Sequence, residues 1–219
     1  MAAPAFQAKG TKGDTTTNTC TFTYPATAAN DMLFLMVYDD ASGGRFSVNA
    51  SWTLKERIIG FGTSGLKKAF LYSKIATGSE SGTENVTRTA VTTLYTRFSA
   101  QVYSYRGDAY LSYEDGIDNN GTSDTITWSS VTVASTQRTL GAFVINCLSG
   151  NPGTPTGYTN SASDTMGDGT YFELNTYANV SSGTSVTTTG GNSDGWGTFH
   201  ISLYNNTPGA SLARTFIVN

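Results

Sequence analysis

The chain has 219 residues, with 13 Lys and Arg against 16 Asp and Glu and a charged fraction of 13%, about half the usual value for soluble globular chains. An aromatic content of 12% and a net charge of −3 exclude intrinsic disorder. The cations are scattered from Lys9 to Arg214 without forming a basic stripe, so neither nucleic acid nor an anionic membrane is an expected partner.

The opening segment "MAAPAFQAKGTKGD" has no charged n-region and no apolar h-region. It reads as an extended N-terminal arm over residues 1 to 13 rather than a secretory signal, and synthesis in a cytoplasm is expected. Strand candidates then follow in order: "CTFTYP" (20 to 25), "MLFLMVY" (32 to 38), "SWTLKERI" (51 to 58), "AFLYSKIA" (69 to 76), "ENVTRTA" (84 to 90) and "RFSAQVYSY" (97 to 105). The second half offers "TITWSSVTV" (125 to 133), "LGAFVINCL" (140 to 148), "YFELNTYA" (171 to 178), "TSVTTT" (184 to 189), "GTFHISLY" (197 to 204) and "ARTFIV" (213 to 218). No window shows helical spacing of apolar residues, and the longest apolar run is far short of the roughly 20 residues of a membrane-spanning helix.

"MLFLMVY" is apolar on both faces and predicts a central strand, covered by a second sheet on one side and by loops or a partner on the other. In "RFSAQVYSY", Phe98, Ala100 and Val102 alternate with Arg97, Ser99, Gln101 and Tyr103, which predicts one core face and one wetter face. Together these patterns predict an all-β fold: an antiparallel two-sheet sandwich, jelly-roll-like. No linker, charge block or fixed-period repeat divides the chain, so residues 1 to 219 read as one domain.

The densest acidic stretch is "YEDGIDNNGTSD" at 113 to 124. Its oxygen-bearing residues Asp115, Asp118, Asn120 and Asp124 are candidate calcium ligands. They lack the spacing, central Gly and flanking helices of an EF-hand, however, and the stretch reads as a solvated loop. With one histidine and no Cys cluster, a His-based zinc site is not available, and no cofactor is expected. Cys20 and Cys147 can pair, or each can sit buried in a strand.

Glycosidase chemistry would need two converging carboxylates, for which Glu80, Glu84, Glu114 and Glu173 are candidates. A Ser-His-Asp triad would have to recruit His200, which alternates with Phe199, Ile201 and Leu203 in a strand pattern and has no G-x-S-x-G elbow to accompany it. The chain therefore reads as non-enzymatic. Trp52 and Trp128 lie in predicted strands, where core packing is the usual role. Trp196 lies in "GGNSDGWGT", and with Asp194 beside it and Tyr113 it forms the expected contact set for a host surface glycan.

Three stretches, "ATAANDMLFLMVYDD", "SWTLKERIIGFGTSGLKKAFLYSKIATGSESGT" and "AQVYSYRGDA", resemble a pattern in tailed-bacteriophage virion proteins over residues 20 to 108. The resemblance implies that Asp31 closes the turn before the central strand, that Trp52 anchors the next strand, and that Tyr105, Arg106 and Gly107 end a strand. Ser51 stands where many relatives have Gly. Residues 108 to 125 become a variable surface connection. The function implied is capsid decoration or cement on the outer surface of the phage head, with the major capsid protein and neighbouring copies as partners. A tail-associated receptor- or carbohydrate-binding module is the alternative.

Overall fold

A computed structural model describes residues 2–41, 45–89, 96–108, 110–134, 137–147, 151–191 and 194–206. The candidate strand "ARTFIV" lies outside the described residues. The first half of the chain forms β1 (Ala5–Lys9), β2 (Gly13–Thr15), β3 (Thr19–Thr23), β4 (Met32–Asp39), β5 (Phe46–Ser47), β6 (Thr53–Phe61), β7 (Lys67–Ile75), β8 (Thr83–Arg88) and β9 (Phe98–Arg106). The second half forms β10 (Tyr110–Gly121), β11 (Thr125–Trp128), β12 (Arg138–Asn146), β13 (Thr159–Thr165), β14 (Tyr171–Val180), β15 (Val186–Thr189) and β16 (Trp196–Asn206). No helix occurs among the described residues.

The fold is an all-β antiparallel sandwich. One large sheet runs β1-β9-β4-β7-β6, with β2 also paired to β9, and the other runs β10-β16-β12-β14-β13. A small sheet lies outside each: β3-β8-β5 on the first and β11-β15 on the second. Side-chain parity along β4 shows why four layers form. Met32, Phe34, Met36 and Tyr38 point into the core between the two large sheets, where they meet Phe143, Ile145, Phe172, Leu174, Phe199 and Ile201. Leu33, Leu35 and Val37 point the other way, onto Cys20, Phe22 and Val86 of the small sheet. The expected central strand is thus covered on both sides by the chain itself.

The two halves repeat one strand plan. Placing β1 and β2 with β10, β3 with β11, β4 with β12, β6 with β13, β7 with β14, β8 with β15 and β9 with β16 reproduces every pairing of the large sheets and the central pairing of the small ones. The sheets face each other about a pseudo-two-fold axis. Phe34 of β4 meets Phe143 of β12 at 5.8 Å between ring centroids, and the outer strands close reciprocally, β6 beside β10 and β1 beside β13. Both closures are polar: Tyr113 Oη of β10 donates to Glu56 of β6 at 2.5 Å, and Lys9 of β1 pairs with Asp164 of β13. This is the geometry of an isologous dimer interface held within one chain. No fixed-period repeat is legible in the sequence because strand order and burial parity are repeated, not residues. Where β7 sets Phe70 and Tyr72 on its outer face, β14 sets Glu173 and Asn175.

Three expectations are corrected. The N-terminal arm is not free: β1 and β2 both pair with β9, the Ala2 amide donates to Asp108 at 2.7 Å, and Thr139 donates to the Pro4 carbonyl. Second, β9 has no wet face, because Ser99, Gln101 and Ser104 are fully buried. Their polar atoms are satisfied inside: Gln101 Nε2 donates to the Gly10 carbonyl at 3.2 Å and to Asp164, and Tyr103 Oη donates to Gln101 Oε1 at 2.8 Å. Third, "YEDGIDNNGTSD" is no loop. It is most of β10, an outer strand of 12 residues paired along β16 with one register shift between Tyr113 and Asp115. Its Gly is used structurally, since a Cβ on Gly116 would stand 1.8 Å from Tyr113 Oη.

Truncating Phe143 removes the aromatic that meets Phe34 and Tyr103 across the axis. Phe143→Ala is expected to cost about 3–5 kcal/mol in a urea unfolding series. Gly195 has φ +101° and its Cβ would lie 2.4 Å from Gly62 Cα, where the β6–β7 turn meets the turn before β16. Gly195→Ala is expected to destabilise by about 1–3 kcal/mol, seen as a lowered Tm with an unchanged β-type circular dichroism spectrum.

Candidate functional site

The structure disperses the expected contact set. Trp196 is 3% exposed, packs over the second outer core and donates Nε1–H to the Ser123 carbonyl at 3.0 Å. It plugs the core and offers no stacking face. Asp194 lies in the turn just before it, where its carbonyl accepts from Lys67 Nζ at 2.8 Å. Tyr113 is at the other end of β10, paired opposite Leu203 while Trp196 pairs with Gly121, a separation of about 25 Å along the strand.

The calcium candidates are no better placed. Asp115 accepts from the Thr132 amide at 2.6 Å, and the Asp124 carbonyl accepts from the amides of Gly190 and Gly191. Among the described residues no group of three or more His, Cys, Asp or Glu is placed to hold a metal ion. Glu114 grips Arg138 with two hydrogen bonds of 2.9 and 3.0 Å and accepts from Ser202. Burial pushes its carboxyl up, but Arg138 and Ser202 outweigh that and hold it below the usual range.

Of the glycosidase candidates, Glu80 and Glu84 do come together, around Lys74. The Lys74 ammonium sits 4.4 Å from the Tyr24 ring centroid and 4.9 Å from that of Trp52, two rings parallel to within 3° and 6.4 Å apart. Glu84 accepts from Trp52 Nε1 at 3.0 Å and from Tyr24 Oη, while Glu80 lies 3.8 Å from Lys74 and accepts from the amides of Thr77 and Gly78. The cluster fills its own centre, so no sugar can enter between the carboxylates. Trp52 anchors the approach to β6, as the resemblance implied, and Asp31 closes its turn by accepting from the Ala28 amide at 2.8 Å. Asp31 also takes two hydrogen bonds of 2.7 Å from Arg106, tying the "AND" turn to the end of β9.

His200 is fully buried, with Nδ1 at 2.6 Å from the Ser129 carbonyl and Nε2 at 2.7 Å from Tyr158 Oη. Burial lowers its pKa, so the neutral ring donates from Nδ1 and accepts from Tyr158 at Nε2. It has no serine nucleophile among its partners. No disulfide joins Cys20 and Cys147: both are buried, Cys20 inside β3 as the second reading has it and Cys147 in the turn just past β12, and burial pushes their thiols up to about 12 and about 11.

One of the open concavities is a bowl of about 470 Å³ on the outer face of β6 and β7, lined by Arg45, Phe46, Arg57, Ile59, Lys68, Phe70 and Tyr72. Parity places it. Ala69 and Leu71 point into the central core, so Phe70 and Tyr72 must face outward, and Arg57 and Ile59 pair opposite Phe70 and Lys68. The outer small sheet covers β9 and β4 but ends at Phe46, whose ring packs edge-on to Phe70 at 4.7 Å between centroids. Ile59 is consequently 60% exposed. No acidic residue lines the bowl, and Arg45 and Arg57 enter no ion pair among the described residues. Sequence reasoning missed it because its residues come from three elements and none forms a motif.

No protein-family model, curated protein or solved structure matches this chain.

Glu173, the last glycosidase candidate, is fully buried on the outer face of β14 and accepts from Asn175 Nδ2 at 2.7 Å. Burial raises its carboxyl from 4.5 to about 7, against the opposing hydrogen bonds from Asn175 and Asn160. A carboxyl raised in the folded state favours folding most below pH 4.5 and loses that contribution as pH rises to about 7. Glu173→Gln removes this ionisation. Urea titrations at pH 4.5 and pH 8 should show the wild-type protein losing up to about 3 kcal/mol more than the variant between the two.

Proposed function

We propose that this chain is a non-enzymatic structural protein of a tailed-bacteriophage virion, a decoration or cement protein on the outer surface of the head. Its partners in this reading are the major capsid protein and neighbouring copies of itself. One observation carries the non-enzymatic part: the groups weighed for turnover are already buried or held. His200 is sealed between Tyr158 and Ser129, Glu114 is held by Arg138, Glu80 and Glu84 surround Lys74, and Glu173 is inside.

The virion part is supported by the resemblance over residues 20 to 108. Its quoted pieces occupy structural posts, with Asp31 joined to Arg106, Trp52 stacked on Tyr24, and Tyr105 fully buried. A rigid body with few unspent charges suits a passive role, in which many modest contacts add up through multivalency. Because the N-terminal segment is locked in the sheet, those contacts would be made by loops and outer sheet faces.

Purified protein mixed with expanded capsids should co-sediment, and quantitative mass spectrometry of particles should find on the order of hundreds of copies. Failure to bind expanded capsids, with no copies in purified particles, would overturn the proposal.

A further inference from the structure

From the geometry we infer that the bowl on β6 and β7 is a binding site for an acidic sugar, a pyranose ring bearing a carboxylate or a sulfate. The inference goes beyond the virion reading and does not rest on it. Three cationic side chains, Arg45, Arg57 and Lys68, converge on one concavity that no carboxylate lines. Lys68 is paired in register with the buried Asp39, whose carboxyl burial raises against the opposing charge of Arg88 and, more weakly, of Lys68, so Arg45 and Arg57 supply the uncommitted charge. A guanidinium presents two parallel N–H donors that match a carboxylate or sulfate edge.

The remaining walls suit a sugar ring. Ile59 stands 60% exposed and Phe70 is half-buried beside it, while the buried Tyr72, its ring 18° from the plane of Phe70 and 6.3 Å away, closes the floor. Together they give an apolar surface for the C–H face of a pyranose. The Tyr72 hydroxyl makes no hydrogen bond among the described residues, leaving a donor and acceptor for a ring hydroxyl. At about 470 Å³ the bowl falls within the roughly 300–1,000 Å³ typical of small-ligand sites.

Other anionic partners fit less well. An extended acidic peptide would add to the outer edge of β6, but that strand has register shifts at Leu54/Glu56 and Ile59/Phe61 and lies beside β10. A nucleic acid needs a cationic track, whereas the whole chain carries a net charge of −3.

The test uses the full chain in isothermal titration with four probes: sialyllactose, a sulfated chondroitin tetrasaccharide, a trigalacturonate and neutral lactose. At least one acidic probe should bind and lactose should not. Arg57→Ser and Arg45→Ser, at exposed positions, should each weaken that binding at least tenfold while leaving the thermal melt unchanged. Sialyllactose or trigalacturonate binding would identify a carboxylate ligand, and chondroitin binding that is lost on desulfation of the same tetrasaccharide a sulfated one. Absence of binding by all three acidic probes would overturn the inference, as would binding that both Arg variants retain. A glutamate-rich peptide that bound at Arg57 where no sugar did would overturn it too. Copy number in particles is read separately, so either proposal can fail alone.

Discussion

The structure depends on one shared core. Two sheets, each built by one half of the chain, bury their apolar faces on each other, with Phe34 and Phe143 in contact near the axis. Neither large sheet could keep these faces in water, since each carries fully buried aromatics such as Phe34, Tyr103, Phe143, Phe172 and Phe199. The reciprocal arrangement follows from packing one strand plan against itself. Because both inner faces have the same strand order, a two-fold relation brings each outer strand beside a non-equivalent outer strand, and both seams close.

Scarcity of charge shapes the rest. With so few ionisable residues, most act as internal fasteners. Arg88 is almost fully buried, pairs with the fully buried Asp39 and stacks over Phe98 at 5.1 Å. Such a pair is costly to break because the surviving charge would be stranded in the core. Lys74 is clamped between two rings, and Arg138 lies over Tyr204 at 4.3 Å while holding Glu114. Against that background, Arg45 and Arg57, which enter no ion pair among the described residues, stand apart on one aromatic-walled face.

The halves differ where the plan leaves freedom. In the second half, Tyr158 from the segment before β13 reaches back over the outer face of the sheet to His200, and polar Glu173 and Asn175 are sealed below the surface. In the first half the matching connection is the two-residue β5, which leaves Arg57 and Ile59 on the outer face of β6 exposed. The repeated architecture therefore yields one closed outer face and one open bowl.

Eleven of the strands were legible in the sequence, because β-branched and aromatic runs bounded by Gly, Asn and Asp state their own conformation. Legible too were the buried course of β4, the core roles of Trp52 and Trp128, the strand position of His200 and the absence of helical periodicity. The five strands β1, β2, β5, β10 and β13 were not. β10 and β13 are rich in Asp, Asn, Ser and Gly, which read as turns until a neighbouring ladder, β16 or β14, takes up their backbone groups. Tertiary pairing also decided that Ser99 and Gln101 are buried, that Trp196 is a plug, and that Arg45, Arg57 and Phe70 share a bowl. The sequence by itself determined which segments can be strands, because that depends on local side-chain shape and alternation. Which strands meet, and so which side chains converge, was decided only when the two halves packed.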